Sequence, residues 1–167
     1  GLNTAVLSIA SQNFGAKNYT RVEEVYNKAL IYGCSIMLIA AVIIYFTAET
    51  AVGFFTDNQE VIKFGKTYLQ ITALMEPIYP VFFITNALFQ AFKKAIYVMF
   101  FSMCRMVILP ALTLSFLILY LESSFSFVFW GLLIINWIFG ILLFVFAKFY
   151  MKNKLIKDQH KRKEFIY

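Results

Sequence analysis

The sequence predicts an all-α integral membrane fold: four complete transmembrane helices plus one partial N-terminal helix. Three observations carry that reading. Hydrophobic residues make up 61% and charged residues 14% of the 167-residue chain, against about 25% charged in soluble domains. Mean hydropathy is +0.73. The apolar residues also come in runs of roughly 20, the length that crosses a hydrocarbon core about 30 Å thick. The 20 Phe and 10 Tyr suit lipid-facing and interfacial positions.

The elements follow in order. Residues 1–13 are apolar but too short to cross a bilayer alone. The chain starts GLNTAVLSIASQNFG, with no basic n-region and no initiator Met, so it is expected to be a piece of a longer polypeptide beginning inside a membrane helix. Gly15 is placed to end that helix in a left-handed conformation. Thr20 and Glu23 match the S/T-x-x-E capping box, which predicts a new helix from about Arg21 running into the first span, 29–48. Residues 51–55 are expected at the outer interface, and Asp57 with Glu60 offers the start of a helix leading into the second span, 67–90. The third and fourth spans are 96–120 and 125–147, and no repeat, low-complexity stretch or linker divides the chain. Basic residues alternate across these connections. Residues 14–28, 91–95 and 148–163 hold twelve Lys and Arg, the connections 49–66 and 121–124 hold two, and Arg105 lies inside a span. Positive charge accumulates on the cytoplasmic side, which predicts 14–28, 91–95 and the C-terminal tail inside. The tail, 151–167, then faces anionic lipid headgroups, a better account of the +6 net charge than nucleic acid.

The second span carries the chemistry. Residues 66–90, KTYLQITALMEPIYPVFFITNALFQ, place Glu76 in an apolar run, followed by Pro77 and Pro80. A carboxylate at the bilayer centre costs about 2.5–3.5 kcal/mol on insertion scales, and each proline removes a backbone donor. At 100° per residue Tyr68, Thr72, Glu76, Tyr79, Asn86 and Gln90 fall on one quarter of a helix surface, and such a stripe must face protein or water. The functional reading makes Glu76 a proton or cation site lining a substrate cavity, with Pro77 and Pro80 as a hinge. The structural reading makes it a protonated carboxyl, or one paired with Arg105. Arg105 either meets Glu76 or reaches the cytoplasmic interface or a carbonyl. Asn136 and Trp137 line the cavity or bond between helices, and Tyr79 with Phe83 offers ring faces to an organic cation. Gly131 and Gly140 suggest close helix packing. Cys34 and Cys104 read as packing residues, and His160 as a solvated bystander in the basic tail. No Ser-His-Asp set, metal-ligand spacing or phosphate loop is present, so nothing indicates an enzyme, a metal site or a cofactor.

Several segments resemble one transporter family, in order and at its spacing. Gln12-Asn13-Phe14-Gly15-Ala16-Lys17-Asn18, followed by Arg21, resembles the Q-N-x-G-A loop of the multidrug and toxic compound extrusion (MATE) family. Phe55-Thr56-Asp57-Asn58-Gln59-Glu60-Val61-Ile62 resembles its F-T-x-D-x-E-V-I segment. Tyr68-Leu69-Gln70-Ile71 is similar to its Y-L-R-I, and Leu88-Phe89-Gln90-Ala91 to its F-Q-A-x-G-K, with Lys93 where glycine is usual. Arg105 and Pro110 resemble its R-x-x-x-x-P. The resemblance covers about residues 1–150. It implies the C-terminal lobe, from the end of its second helix, of a twelve-helix MATE-type transporter built from two six-helix lobes. The missing N-terminal lobe of the same polypeptide and membrane lipids would then be its partners. The implied function is multidrug efflux from the inner (plasma) membrane, antiporting amphipathic or cationic drug-like compounds against H+ or Na+, with that ion in place of any cofactor. A flippase for lipid-linked or polysaccharide precursors is an alternative of related architecture, although its anionic headgroups call for more basic residues than Arg105. A membrane interaction subunit without transport of its own is an alternative of another class.

Overall fold

The computed structural model describes residues 1–112, 114–115 and 125–164, side chains excepted at 125, 126, 155 and 157–164. Residues 116–120 of the expected third span, the 121–124 connection and the side chain of His160 lie outside the described residues. The helices are α1 (Leu2–Gly15), α2 (Tyr19–Gly53), α3 (Gln59–Ala73), α4 (Tyr79–Ala91), α5 (Ala95–Met103) and α6 (Phe125–Glu164). A 3-10 turn, Glu76–Ile78, separates α3 from α4, and a π turn, Cys104–Ile108, continues α5. Among the described residues four stretches are long and apolar enough to cross a membrane: Tyr19–Gly53, Gln59–Ala91, Ala95–Leu112 and Phe127–Lys154. The helix α6 runs through residue 150 without interruption, so the basic segment after it is an extension of the last span.

Local chemistry shifts several expected boundaries. Helix α2 starts two residues before Arg21, because Asn18 is the cap: its side chain accepts the Arg21 N–H at 3.3 Å. Glu23, expected to close a box with Thr20, instead accepts from Lys148 Nζ of α6 at 2.9 Å. A tertiary partner has displaced the local one. Asn58 likewise caps α3, accepting from the N–H groups of Glu60 and Val61. The left-handed residue after α1 is Lys17 (φ 57°), and Gly15 has no positive φ. The N–H of Lys17 reaches the Phe14 carbonyl and that of Asn18 the Asn13 carbonyl, the paired closure of a Schellman motif, whose left-handed position falls two residues past the glycine. With about 1.5 Å of rise per residue, the 35 residues of α2 overrun a hydrocarbon core about 30 Å thick. Its extra turns carry the Arg21–Glu24–Lys28 ion pairs at one end and Glu49 at the other, paired with Lys66 at 2.7 Å. Phe54 and Phe55 follow the last turn, both well exposed.

The broken helix α3–α4 is the centre of the bundle. Its most apolar stretch is 61% buried inside the protein, against 22%, 6% and 17% for the other three spans. Around it α1, α2 and α6 enclose a core that includes Val6, Tyr26, Ile84, Leu88, Phe89 and Leu143. In lipid such burial exchanges one apolar neighbour for another, so close packing and hydrogen bonds hold the helices rather than the hydrophobic effect. The small residues Ala10, Ala29, Ala87 and Ala147 are accordingly buried at the contacts. The Tyr26 and Thr85 hydroxyls bond across α2 and α4 at 2.8 Å, both fully buried. Gly140 lets α6 approach the 3-10 turn: a Cβ there would stand 2.7 Å from Ile78 Cδ1 and nearer still to its Cγ1.

Candidate functional site

The site forms where two helices lose regular geometry side by side. In α3–α4 the cause is two prolines, which cannot donate to the carbonyls of Ala73 and Glu76 four residues earlier. The chain tightens instead: Met75 N–H bonds Thr72 O at 2.9 Å and Ile78 N–H bonds Met75 O at 3.2 Å. The Leu74 carbonyl, which an α-helical Ile78 would have satisfied, accepts the indole N–H of Trp137 from α6 at 3.0 Å. Trp137 is therefore the interhelical bond foreseen as one of its two readings. In the neighbouring helix Pro110 cannot bond the Met106 carbonyl, and the backbone widens into the π turn, with Leu109 N–H reaching Cys104 O. Turns of this kind concentrate at functional sites.

The π turn carries Arg105 into the gap. The residue is 9% exposed. Its Nη1 donates to Asn136 Oδ1 at 2.7 Å, and Asn136 is oriented by donating its own Nδ2 to Leu132 O at 2.8 Å. The guanidinium carbon lies 4.0 Å from the Phe82 ring centroid and 5.5 Å from that of Tyr79, so the cation rests against two π faces. Among the described residues Arg105 makes no ion pair with Glu76; of the readings drawn from the sequence it takes a carbonyl partner, the side-chain carbonyl of Asn136. The ring beneath a cation is Phe82, not Phe83, which is 57% exposed, and the cation is the protein's own. Phe82 gave no sign in the sequence, being one apolar residue among many; only its position three residues past Tyr79, on the same face, would have linked it to the polar stripe.

Tyr79, Arg105 and Asn136 thus come together, and with Met75, Met106 and Leu132 they line a cavity of about 260 Å³. The other expected residues stand apart. Glu76 occupies the first position of the 3-10 turn, half-buried, and its carboxyl has no hydrogen bond or ion pair to a described residue. Thr72 turns its hydroxyl back to Tyr68 O at 2.8 Å, and Asn86 accepts from Gln90 at 3.0 Å. The break between α3 and α4 divides the stripe that a straight helix would have aligned. Pro77 lines a second, apolar cavity of about 340 Å³ with Ala41, Tyr45, Leu74 and Trp137. Pro80 is buried against α2, where a Cβ at Gly33 would stand 3.0 Å from its own Cβ. A third and larger groove, about 640 Å³, runs between α2, α4 and α6 and is apolar except for Asn27 and Lys148. Gln12, Asn13, Gly15 and Ala16 form the end of α1 and its turn, where Asn13 Nδ2 donates to Ile9 O at 2.8 Å; Arg21 pairs with Glu24 at 2.6 Å. These loop residues lie at the basic end of the bundle, away from the cavity.

A family model described as MatE matches residues 1–114. No curated protein matches the chain. Among solved structures, the fold is similar to an inward-facing conformation of a multidrug resistance MATE family transporter of the MOP superfamily, with a TM-score of 0.84 and 18% identity over 91% of this chain and 35% of that one. It is similar to an outward-facing conformation of such a transporter with a TM-score of 0.83, 18% identity, and 91% and 34% coverage. A third is a MOP superfamily transporter from Pyrococcus furiosus, for which reverse polarity of the binding pocket suggests a different function; there the TM-score is 0.83 at 19% identity, with 91% and 34% coverage. At these identities the likeness is one of fold. The chain spans about a third of the length of each of these structures.

Proposed function

The chain belongs to the MatE family, and on that premise we propose that it forms most of one lobe of a secondary active exporter. The exporter would drive amphipathic or cationic compounds out of the cell against an inward gradient of H+ or Na+. The basic end of the bundle, with 14–28, 91–95 and the extension of α6, would face the cytoplasm across the plasma membrane, as the excess of Lys and Arg there requires. The remaining lobe of the same polypeptide would complete the pathway. The observation that carries this reading is the position of Glu76: a carboxyl at the start of a 3-10 turn, just before Pro77 and Pro80, in the most buried span, with no described ion pair or side-chain hydrogen bond. A carboxyl free of local partners can exchange a proton or a cation. Its charge bears on a backbone already broken at that point, so occupancy favours one arrangement of α3 and α4 over another. The likeness to both inward-facing and outward-facing transporters supports a fold that moves between two such arrangements.

In the complete transporter, Glu76→Gln keeps the shape of the side chain and removes its charge. Gradient-driven export should then fall by roughly ten- to hundred-fold, the usual span of a coupling free energy, while insertion and expression hold. Efflux at the wild-type rate from vesicles carrying that variant would take Glu76 out of the coupling mechanism.

A further inference from the structure

The Arg105 guanidinium is a permanent charge, nine-tenths buried within a membrane span, and the described residues give it no countercharge. Asn136 supplies one neutral oxygen, Phe82 and Tyr79 supply ring faces, and Nε is buried without any acceptor. A side chain with five N–H donors is thus met by the Asn136 oxygen, the Tyr79 hydroxyl and two ring faces beside a cavity. A buried charge left in this state calls for a partner. The cavity, about 260 Å³, lies a little below the volume of drug-sized sites, roughly 300–1,000 Å³. It therefore has room for a small head group rather than a whole drug. Its other walls are apolar, from Met75, Met106 and Leu132, while Tyr79 brings a hydroxyl.

We propose that this cavity is an oxyanion site, in which Arg105 takes a carboxylate or phosphate borne on an apolar body, with Asn136 as the positioning residue for the guanidinium. The planar fork of arginine matches such groups. The π turn at Cys104–Ile108, set by Pro110, is what carries the guanidinium to the cavity wall. The oxyanion arrives either on a water-soluble organic acid or as the head of an anionic phospholipid. The inference rests on the transporter reading only for its membrane setting, and it is read at equilibrium without a gradient. Failure of export in Glu76→Gln and failure of anion binding are therefore separate outcomes.

The test is calorimetric titration of the complete transporter in phosphatidylcholine nanodiscs with an arylcarboxylate and with its uncharged carboxamide. The carboxylate should bind about ten-fold tighter, a margin that one charge-assisted pair supplies. Arg105→Gln should abolish that preference and Arg105→Lys should retain part of it. Repeating the titration with phosphatidylglycerol in the discs identifies the source: competition assigns the site to the lipid head, and unchanged binding assigns it to the soluble acid. Equal binding of acid and amide by the wild-type protein, which needs no variant to fold, overturns the proposal. So does a preference that survives in Arg105→Gln.

Discussion

Two lysines hold backbone that lysine disfavours. Lys17 and Lys93 sit at φ 57° and 56°, each at the left-handed position of a Schellman closure: Lys93 N–H bonds Gln90 O and Lys94 N–H bonds Phe89 O, repeating the pattern after α1. The two turns are neighbours, with the Phe14 and Phe92 rings 4.9 Å apart. A left-handed L-residue costs about 1–2 kcal/mol, while a glycine loses roughly 0.5–1 kcal/mol more on ordering. The first effect wins, so Lys93→Gly should stabilise the protein by about 0.5–1 kcal/mol, seen as a higher melting midpoint in detergent. A midpoint equal to or below that of the wild type would mean that the Lys93 side chain contributes contacts outweighing its backbone strain. The sequence marked Lys93 as standing where the resembled pattern has glycine, yet it pointed to Gly15, not Lys17, for the first turn. A glycine is the natural guess for a left-handed residue, but the hydrogen bonds of the preceding helical turn decide where the reversal falls. Arg105, Tyr79 and Asn136 were each legible as polar residues in apolar runs. Their meeting was not. Depth along a helix follows from counting, whereas the direction a side chain takes past Pro77, Pro80 and Pro110 depends on how the breaks rotate each segment.

At the scale of elements, the bundle is organised around a helix that is broken yet central. Hydropathy made the spans legible, because lipid imposes its own length on them. It gave no sign that α2 starts at Tyr19, since those first turns are polar and the ion pair that ties them to α6, Glu23 with Lys148, is tertiary. Nor could it show which span is enclosed: the most buried span has a hydropathy of 1.3, the lowest of the four, because buried helices here carry the polar stripe and the breaks. The break is braced from α6 by Trp137, whose indole takes the Leu74 carbonyl. With no water in the hydrocarbon region to replace it, Trp137→Phe should leave that carbonyl without a partner and cost about 1–3 kcal/mol. A lower melting midpoint checks this. The ring itself is largely retained in phenylalanine, so a midpoint like that of the wild type would show that the 3-10 turn satisfies its own backbone.

The whole molecule is held by contacts that lipid does not drive. Leu88, Phe89 and Leu143 are fully buried, while Ile31, Ile36, Ile39, Phe46, Phe100 and Met106 are 60% or more exposed. Exposed apolar surface of this extent suits bilayer or further protein, and water tolerates it poorly. The structures with this fold are about three times the length of the chain. Part of the exposed surface is thus expected to meet other helices in a complete transporter. The third span supports this most directly: only 6% of its most apolar stretch is buried, although it carries Arg105 and the π turn beside the cavity. A span so little enclosed has few partners to hold its register, and bulk lipid replaces van der Waals packing between helices only loosely. The 167-residue chain purified by itself in detergent should therefore melt without cooperativity and aggregate on size exclusion. Co-expression with the rest of the transporter polypeptide should restore a single sharp transition. A monodisperse, cooperatively melting preparation of the isolated chain would instead mean that the contacts of α4 with α1, α2 and α6 suffice to specify the lobe.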